Sequence, residues 1–306
     1  MICEKTVVGA GGEYPLNGML TFPDAPEGPA PGVVLVHGSG ASDMDERIFA
    51  LTPFRDLAEG LAARGIAAIR YDKRTYAHAK KLRSVSPTAW EETIEDAILA
   101  AELLRADPRV DPARVFLVGH SMGAMLAPRI DAECGLFRGL VLMAGTPYRM
   151  EEIVVRQLSQ AGAGKGGLMK WIVGLENKIF SKKFEGLYEM SDEEAKKKKF
   201  AGNVSLWYFK EMGRKTAADY LLESEKPAFI LQGADDFQVL ADVDYRRFQE
   251  LLADRPRTKL KLYPGLDHAF VQSLGGNILN AAKEYKTERH IGAEVLDDVA
   301  GFIRSV

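Results

Sequence analysis

Short apolar runs recur along the first half of the chain. Val33-Val34-Leu35-Val36, residues 66–71, residues 115–118 and residues 140–143 are nearly free of charge. Strands covered on both faces read as continuous apolar runs rather than alternating ones. Between them lie stretches with a helical period. Residues 53–64 form one. Residues 90–106 form another, with Ile94, Ala97, Ile98, Ala101 and Leu104 on one face. A further helix is expected after residue 121. Strands that alternate with helices imply a mostly parallel sheet flanked by helices, an α/β fold. The first thirty residues differ. Segments 6–8 and 19–22 read as two short antiparallel strands, and Pro23, Pro26, Pro29 and Pro31 then interrupt any regular element.

The alternation stops near Gly145 and resumes with a strand at 228–231, a helix at 242–253, a strand at 259–263 and a last helix at 293–304. Residues 146–226 between them are helical in character, with 151–160 as the first helix. This predicts a core made of residues 1–145 and 227–306, with 146–226 inserted between two strands as a helical cap over the carboxyl edge of the sheet. Long insertions at such a place are commonly lids. The insertion is rich in aromatic residues, most of them expected in its own core. One or two of Trp171, Trp207 and Tyr208 are expected to face the cleft. Its run Lys196 to Lys199 follows Asp192-Glu193-Glu194, so pairing along a solvated helix face explains it better than nucleic-acid binding.

Composition narrows the class without deciding it. The 306 residues are 46% hydrophobic and 27% charged, with a formal net charge of −3. That charge gives no bulk pull toward nucleic acid or a membrane. The two cysteines, Cys3 and Cys134, make no metal-ligand spacing and no disulfide framework. The N-terminus lacks the pattern of a signal peptide, and no apolar run approaches the ~18 residues of a membrane span. A cytoplasmic protein is expected. Oligomeric state is not legible.

The chemistry concentrates at Gly119-His120-Ser121-Met122-Gly123, a Gly-x-Ser-x-Gly sequence directly after the apolar run 115–118. Between a strand and a helix this is the pattern of a nucleophile elbow, with Gly119 and Gly123 relieving the turn of Cβ clashes. A serine hydroxyl needs a base, and the base an orienting carboxylate, in the chain order Ser, acid, His. Of five histidines only His268 and His290 follow Ser121. His268 lies just past the strand 259–263, where sites form in open α/β sheets. His290 lies in a charged helical stretch and reads as a surface residue. The acid should follow the strand 228–231, where Asp235 and Asp236 are adjacent, and spacing does not choose between them. The oxyanion of an acyl-transfer intermediate needs backbone donors. The N–H of Met122 is one. Ser39, in the turn His37-Gly38-Ser39-Gly40 after the first parallel strand, is the candidate for the other, with Gly38 and Gly40 giving the turn freedom.

On these residues the chain resembles the α/β-hydrolases. It falls within the esterases related to dienelactone hydrolases and prolyl-oligopeptidase catalytic domains, and there it is most similar to stand-alone bacterial carboxylesterases of the EstD type. The likeness is carried by Pro31 through Gly40, Tyr71-Asp72-Lys73-Arg74, the 119–123 pentapeptide, Leu231-Gln232-Gly233 through Asp236 and Val239, and Leu262 through His268. The family pattern Gly-x-x-Asp-x-x-Val falls on Gly233, Asp236 and Val239, which selects Asp236. The resemblance implies a Ser121–Asp236–His268 triad, no metal or organic cofactor, and hydrolysis of short-chain carboxylic esters. Two positions depart from it. Thr75 stands where the family often has glycine after Asp-Lys-Arg, so the loop 76–83 and one wall of the pocket are expected to differ. Ala124 stands where a further glycine is common. Asp72 and Arg74 are candidates to brace the oxyanion loop by charge pairing. The same triad would serve a thioesterase or a peptidase, and a non-catalytic binding module of this fold is the reading from another class.

Overall fold

A computed structural model describes residues 1–24, 28–163 and 180–306 of the chain. Its main sheet has eight strands in the order β1-β2-β4-β3-β5-β6-β9-β10. These are β1 (Ile2–Val8), β2 (Leu16–Phe22), β3 (Ala30–Val36), β4 (Ala67–Tyr71), β5 (Val110–His120), β6 (Leu140–Met143), β9 (Ala228–Gly233) and β10 (Thr258–Tyr263). Strand β2 is antiparallel to both β1 and β4, and every other neighbouring pair is parallel. Seven strands therefore run one way and β2 alone runs against them. The expected α/β architecture is what is found.

The central strands are apolar because both faces are covered. All seven residues of β3 and all five of β4 are buried. On one side lie helix α1 (Pro53–Ala62) and the C-terminal helix Ala293–Ser305. Proline at the start of α1 suits a position whose N–H needs no partner. Phe54, Leu57 and Leu61 of α1 pack with Val295, Val299 and Ile303 of the last helix over Val33, Leu35 and Phe116. On the other side lie α4 (Glu95–Ala106) and α5 (Met122–Cys134), whose Ala97, Ala101, Leu104, Ala127 and Ile130 meet Val34, Val36 and Leu117. Residues 90–94, expected at the start of α4, form a wider π turn instead. Two single-turn helices, α2 (Arg74–Ala77) and α3 (Ala79–Leu82), follow β4.

Between β6 and β9 the described residues form α6 (Met150–Ala163), a helical turn at 180–184, three further short helices, Asp192–Lys197, Leu206–Met212 and Ala217–Glu223, and a hairpin of β7 (Lys199–Ala201) and β8 (Val204–Ser205). The hairpin is an addition to the all-helical expectation for 146–226. Its aromatic residues pack chiefly on one another, Phe184 stacking on Phe200 and both meeting Phe209 edge-on. The lysine run is paired as expected, Lys196 with Glu193 at 2.8 Å and Lys198 with Glu194 at 2.7 Å. No helix among the described residues is long and apolar enough to cross a membrane.

Register decides what the sheet presents at its carboxyl edge. Val36 pairs with Gly119, His120 with Met143, Met143 with Leu231, and Gly233 with Tyr263. The strands end nearly level. The loops carrying Ser39, Ser121, Asp236 and His268 thus leave the sheet side by side.

Candidate active site

Strand β5 passes into α5 through a single residue, Ser121, held at φ 53°, ψ −116°. That conformation is costly for any residue with a Cβ, and such strain clusters at functional positions. The flanking glycines leave room where a Cβ would clash. Neither needs a left-handed backbone; both are forced by close approach. A Cβ on Gly119 would lie 2.3 Å from the carbonyl oxygen of Gly123, and one on Gly123 would lie 2.0 Å from that of Val36. Gly38 likewise fits for lack of room, since its Cβ would sit 3.2 Å from that of Ser121, whereas Gly40 does adopt a positive φ of 89°.

Asp236 is buried and every neighbour of its carboxylate is a donor. Oδ1 accepts from the amides of Gln238 at 2.8 Å and Val239 at 3.0 Å. Oδ2 accepts from Gln232 Nε2 at 2.9 Å and His268 Nδ1 at 2.7 Å. A carboxylate only accepts, so Nδ1 of His268 carries a proton, and in the neutral ring this leaves the lone pair on Nε2. Asp235 is exposed. His290, also exposed, bonds Asp56 at 3.0 Å.

The link between His268 and the serine turn is His120, which sequence reasoning passed over as the variable position of the pentapeptide. Its Nε2 bonds the main-chain oxygen of His268 at 2.9 Å, and the two rings lie 4.8 Å apart. Its Nδ1 forms a buried ion pair with Glu46 Oε2 at 2.9 Å, off the line of a true hydrogen bond. Glu46 Oε1 in turn accepts the Gly38 amide at 2.7 Å. Burial opposes the His120 imidazolium, but the Glu46 charge outweighs it and lifts the group to about 9. His37 is the opposite case. Burial dominates there and pushes it down to about 4, with its Nε2 on the Asp43 carbonyl at 3.0 Å. In the sequence Glu46 is one carboxylate of the charged run Asp43 to Arg47 right after the glycine turn, and nothing there separates it from its neighbours.

These two histidines set opposite limits on stability. His37 favours the fold while it is neutral, a contribution lost as pH falls from about 6.5 toward 4. His120 favours it while charged, a contribution complete below about 6.5 and lost as pH rises through about 9. A Glu46→Gln variant should lose the alkaline decline. Urea unfolding at pH 6.5 and 9.5 should show the wild-type advantage shrinking by on the order of 3 kcal/mol across that span. An advantage that stayed constant with pH would rule out the charged pair.

Asp72 and Arg74, expected to brace the oxyanion loop by charge, divide differently. Asp72 Oδ1 accepts the Met44 amide at 2.9 Å, bracing the next part of that loop by a hydrogen bond. Arg74 turns away to Asp96, its Nε 3.1 and 3.2 Å from the two carboxylate oxygens, and so ties the end of β4 to α4. The residue between them, Lys73, reaches the glycine turn itself, its Nζ 2.8 Å from the Gly38 carbonyl oxygen.

A cavity of about 520 Å³ opens at Ser121. Its floor includes Ser39 and Met122, and its walls are apolar, with Met125, Met150, Val154 and Phe209 prominent. Thr75, Ala79, Leu82 and Arg83 make the wall that the departure at Thr75 foreshadowed. Tyr208 faces the cavity. Trp207 instead lies under Lys196 and Arg214, at 5.3 and 4.9 Å from its ring, and Trp171 lies outside the described residues.

Residues 33–274 match the alpha/beta hydrolase family. The chain belongs to that family. Esterase EstD of Thermotoga maritima is 31% identical over 285 residues, 93% of this chain; the chain spans 64% of that relative's length. Among solved structures this chain is similar to Est1E from Butyrivibrio proteoclasticus, with a TM-score of 0.56 and 15% identity over 97% of this chain and 99% of that one. It is also similar to a Mycobacterium tuberculosis puromycin-hydrolyzing peptidase, with a TM-score of 0.61 and 18% identity over 99% of this chain and 39% of that one. At these identities the likeness is one of fold.

Proposed function

We propose that this hydrolase is a serine carboxylesterase working through a Ser121–His268–Asp236 triad and an acyl-enzyme intermediate. The observation that carries the reading is the buried Asp236–His268 pair at 2.7 Å, tied through His120 to a strained serine at the mouth of an apolar cavity. His268 Nε2 takes the proton of Ser121 as its oxygen attacks the ester carbonyl. Asp236 holds the ring in the required tautomer and stabilises the imidazolium. The N–H groups of Ser39 and Met122 receive the oxyanion. The alcohol leaves with the proton from His268. Water then attacks the acyl-enzyme by the same steps and releases the acid. The name of EstD, an esterase 31% identical to this chain, supports the choice of esters.

Residues 146–226 act in this reading as a cap, since α6, the 199–205 hairpin and the helix Leu206–Met212 all contribute walls to the cavity. The cavity volume falls within the range of about 300–1,000 Å³ common for small-molecule sites. It thus admits acyl groups longer than the shortest. The test is hydrolysis of p-nitrophenyl esters from acetate to decanoate, with labelling of Ser121 by a fluorophosphonate. Turnover should rise beyond acetate, and the label should map to Ser121. A folded protein that neither turned over any ester nor took the label would overturn the assignment. A Val154→Trp variant, filling a half-buried cap position, should cut octanoate turnover by about tenfold or more and leave acetate nearly unchanged. Equal losses on both esters would remove the cap wall from the acyl site.

A further inference from the structure

The peptide between Gly38 and Ser39 is held at its carbonyl end. Its N–H belongs to Ser39, at the cavity floor. Its carbonyl oxygen, that of Gly38, receives the ammonium of Lys73 at 2.8 Å. Lys73 is only 2% exposed, and its Nζ also bonds Glu92 Oε1 at 2.6 Å. Glu92 rises from the π turn before α4 to the cavity wall, close to the Tyr208 hydroxyl. The preceding amide, that of Gly38, is taken by Glu46. The main chain of Lys73 adds a third tie, its N–H donating to the Ser42 carbonyl at 3.0 Å.

A trans peptide is planar, so its N–H points opposite to its C=O. Fixing the carbonyl on a buried ammonium therefore fixes the direction of the Ser39 N–H. A cation on the oxygen also draws electron density across the amide, which makes the N–H a stronger donor, as in any chain of polarised hydrogen bonds at low dielectric. The geometry points to Lys73 as a positioning residue that aims and strengthens the Ser39 oxyanion donor, with Glu92 holding it in place. Such help is felt most when the oxygen bears full charge, in the transition state, and little by the bound ester. This rests on the esterase reading above.

The test compares wild type, Lys73→Met and Lys73→Met/Glu92→Gln on the best p-nitrophenyl ester, with Ser121→Ala alongside. The double variant avoids leaving the Glu92 carboxylate buried without its partner, and it carries the test if the single one does not fold. The inference expects kcat to fall by about 10- to 100-fold, less than deletion of an oxyanion donor outright, with KM within about threefold. Inhibition by a trifluoromethyl ketone, which forms a charged tetrahedral adduct, should weaken in step with kcat, while inhibition by the unfluorinated ketone holds. A folded variant with kcat near wild type, or one that loses both ketones equally, overturns the inference. If Ser121→Ala kept its turnover, the esterase reading itself would fall instead.

Discussion

Ser121→Ala should reduce kcat on the ester substrate by on the order of a million-fold, the loss seen when a serine hydrolase is deprived of its nucleophile. The fold should not notice the change. The hydroxyl faces the cavity, and the alanine keeps the Cβ and hence the unfavourable backbone at φ 53°. Ser121→Gly separates strain from chemistry. It should be as inactive as the alanine variant but more stable by about 1–3 kcal/mol, the cost of holding a residue with a Cβ in that region. Steady-state kinetics and urea midpoints on the three proteins check both statements. Near-normal turnover in either variant would dismiss Ser121 as nucleophile. Equal stability of alanine and glycine variants would dismiss the strain.

Asp236→Asn should lower kcat by about ten-thousand-fold with little change in KM, and the four donors around the carboxylate explain why. If the new carbonyl stays on the Gln238 and Val239 amides, the new NH2 faces Gln232 and His268. Gln232 Nε2 is held in place by the carbonyls of Gly233 and Val239. His268 can adapt only by moving its proton to Nε2 and accepting at Nδ1. The ring is then a base pointing the wrong way. Turning the amide over sets its NH2 against two backbone N–H groups instead. No orientation satisfies the site, so the variant should also be less stable, by about 1–3 kcal/mol for the unmet groups. Asp235→Asn, one residue away but exposed, should stay within about twofold of wild type. Collapse of the Asp235 variant with a working Asp236 variant would reverse the assignment. Comparing kcat and urea unfolding for both separates the two neighbours that spacing leaves open.

Much of this was written in local sequence. Continuous apolar runs located the central strands because burial on both faces leaves no polar position to blur the signal. The strand-then-helix setting of Ser121 and the loop setting of His268 placed both at the carboxyl edge of the sheet, because such loops leave a sheet at one edge. Choosing Asp236 over Asp235 needed a family pattern, and the reason became visible only in three dimensions, where the amide of Val239 closes on Oδ1. The electrostatics around the site were not legible. Glu46, Lys73 and Glu92 sit in segments as charged as any surface loop, and nothing local says that their charges are buried and facing one another. Asp72 and Arg74 were read as candidates to brace the oxyanion loop, and nothing local showed that Lys73 between them is buried as well. What the Cβ atoms of Gly119 and Gly123 would strike was also not legible locally, because the obstacles are the end of β3 and the turn's own backbone.

That interlock of two glycines with the end of β3 separates what this lineage can lose from what it must keep. If Ser121 is the nucleophile as proposed, replacing its side chain with a small one would end the reaction in one step while the shell around it persists. Replacing Gly123 drives a carbon into the carbonyl of Val36 and opens the sheet where every site loop begins. A homologue with both glycines and some other residue between them is expected to fold, to keep the cavity, and to hold an ester-like molecule that it no longer cleaves.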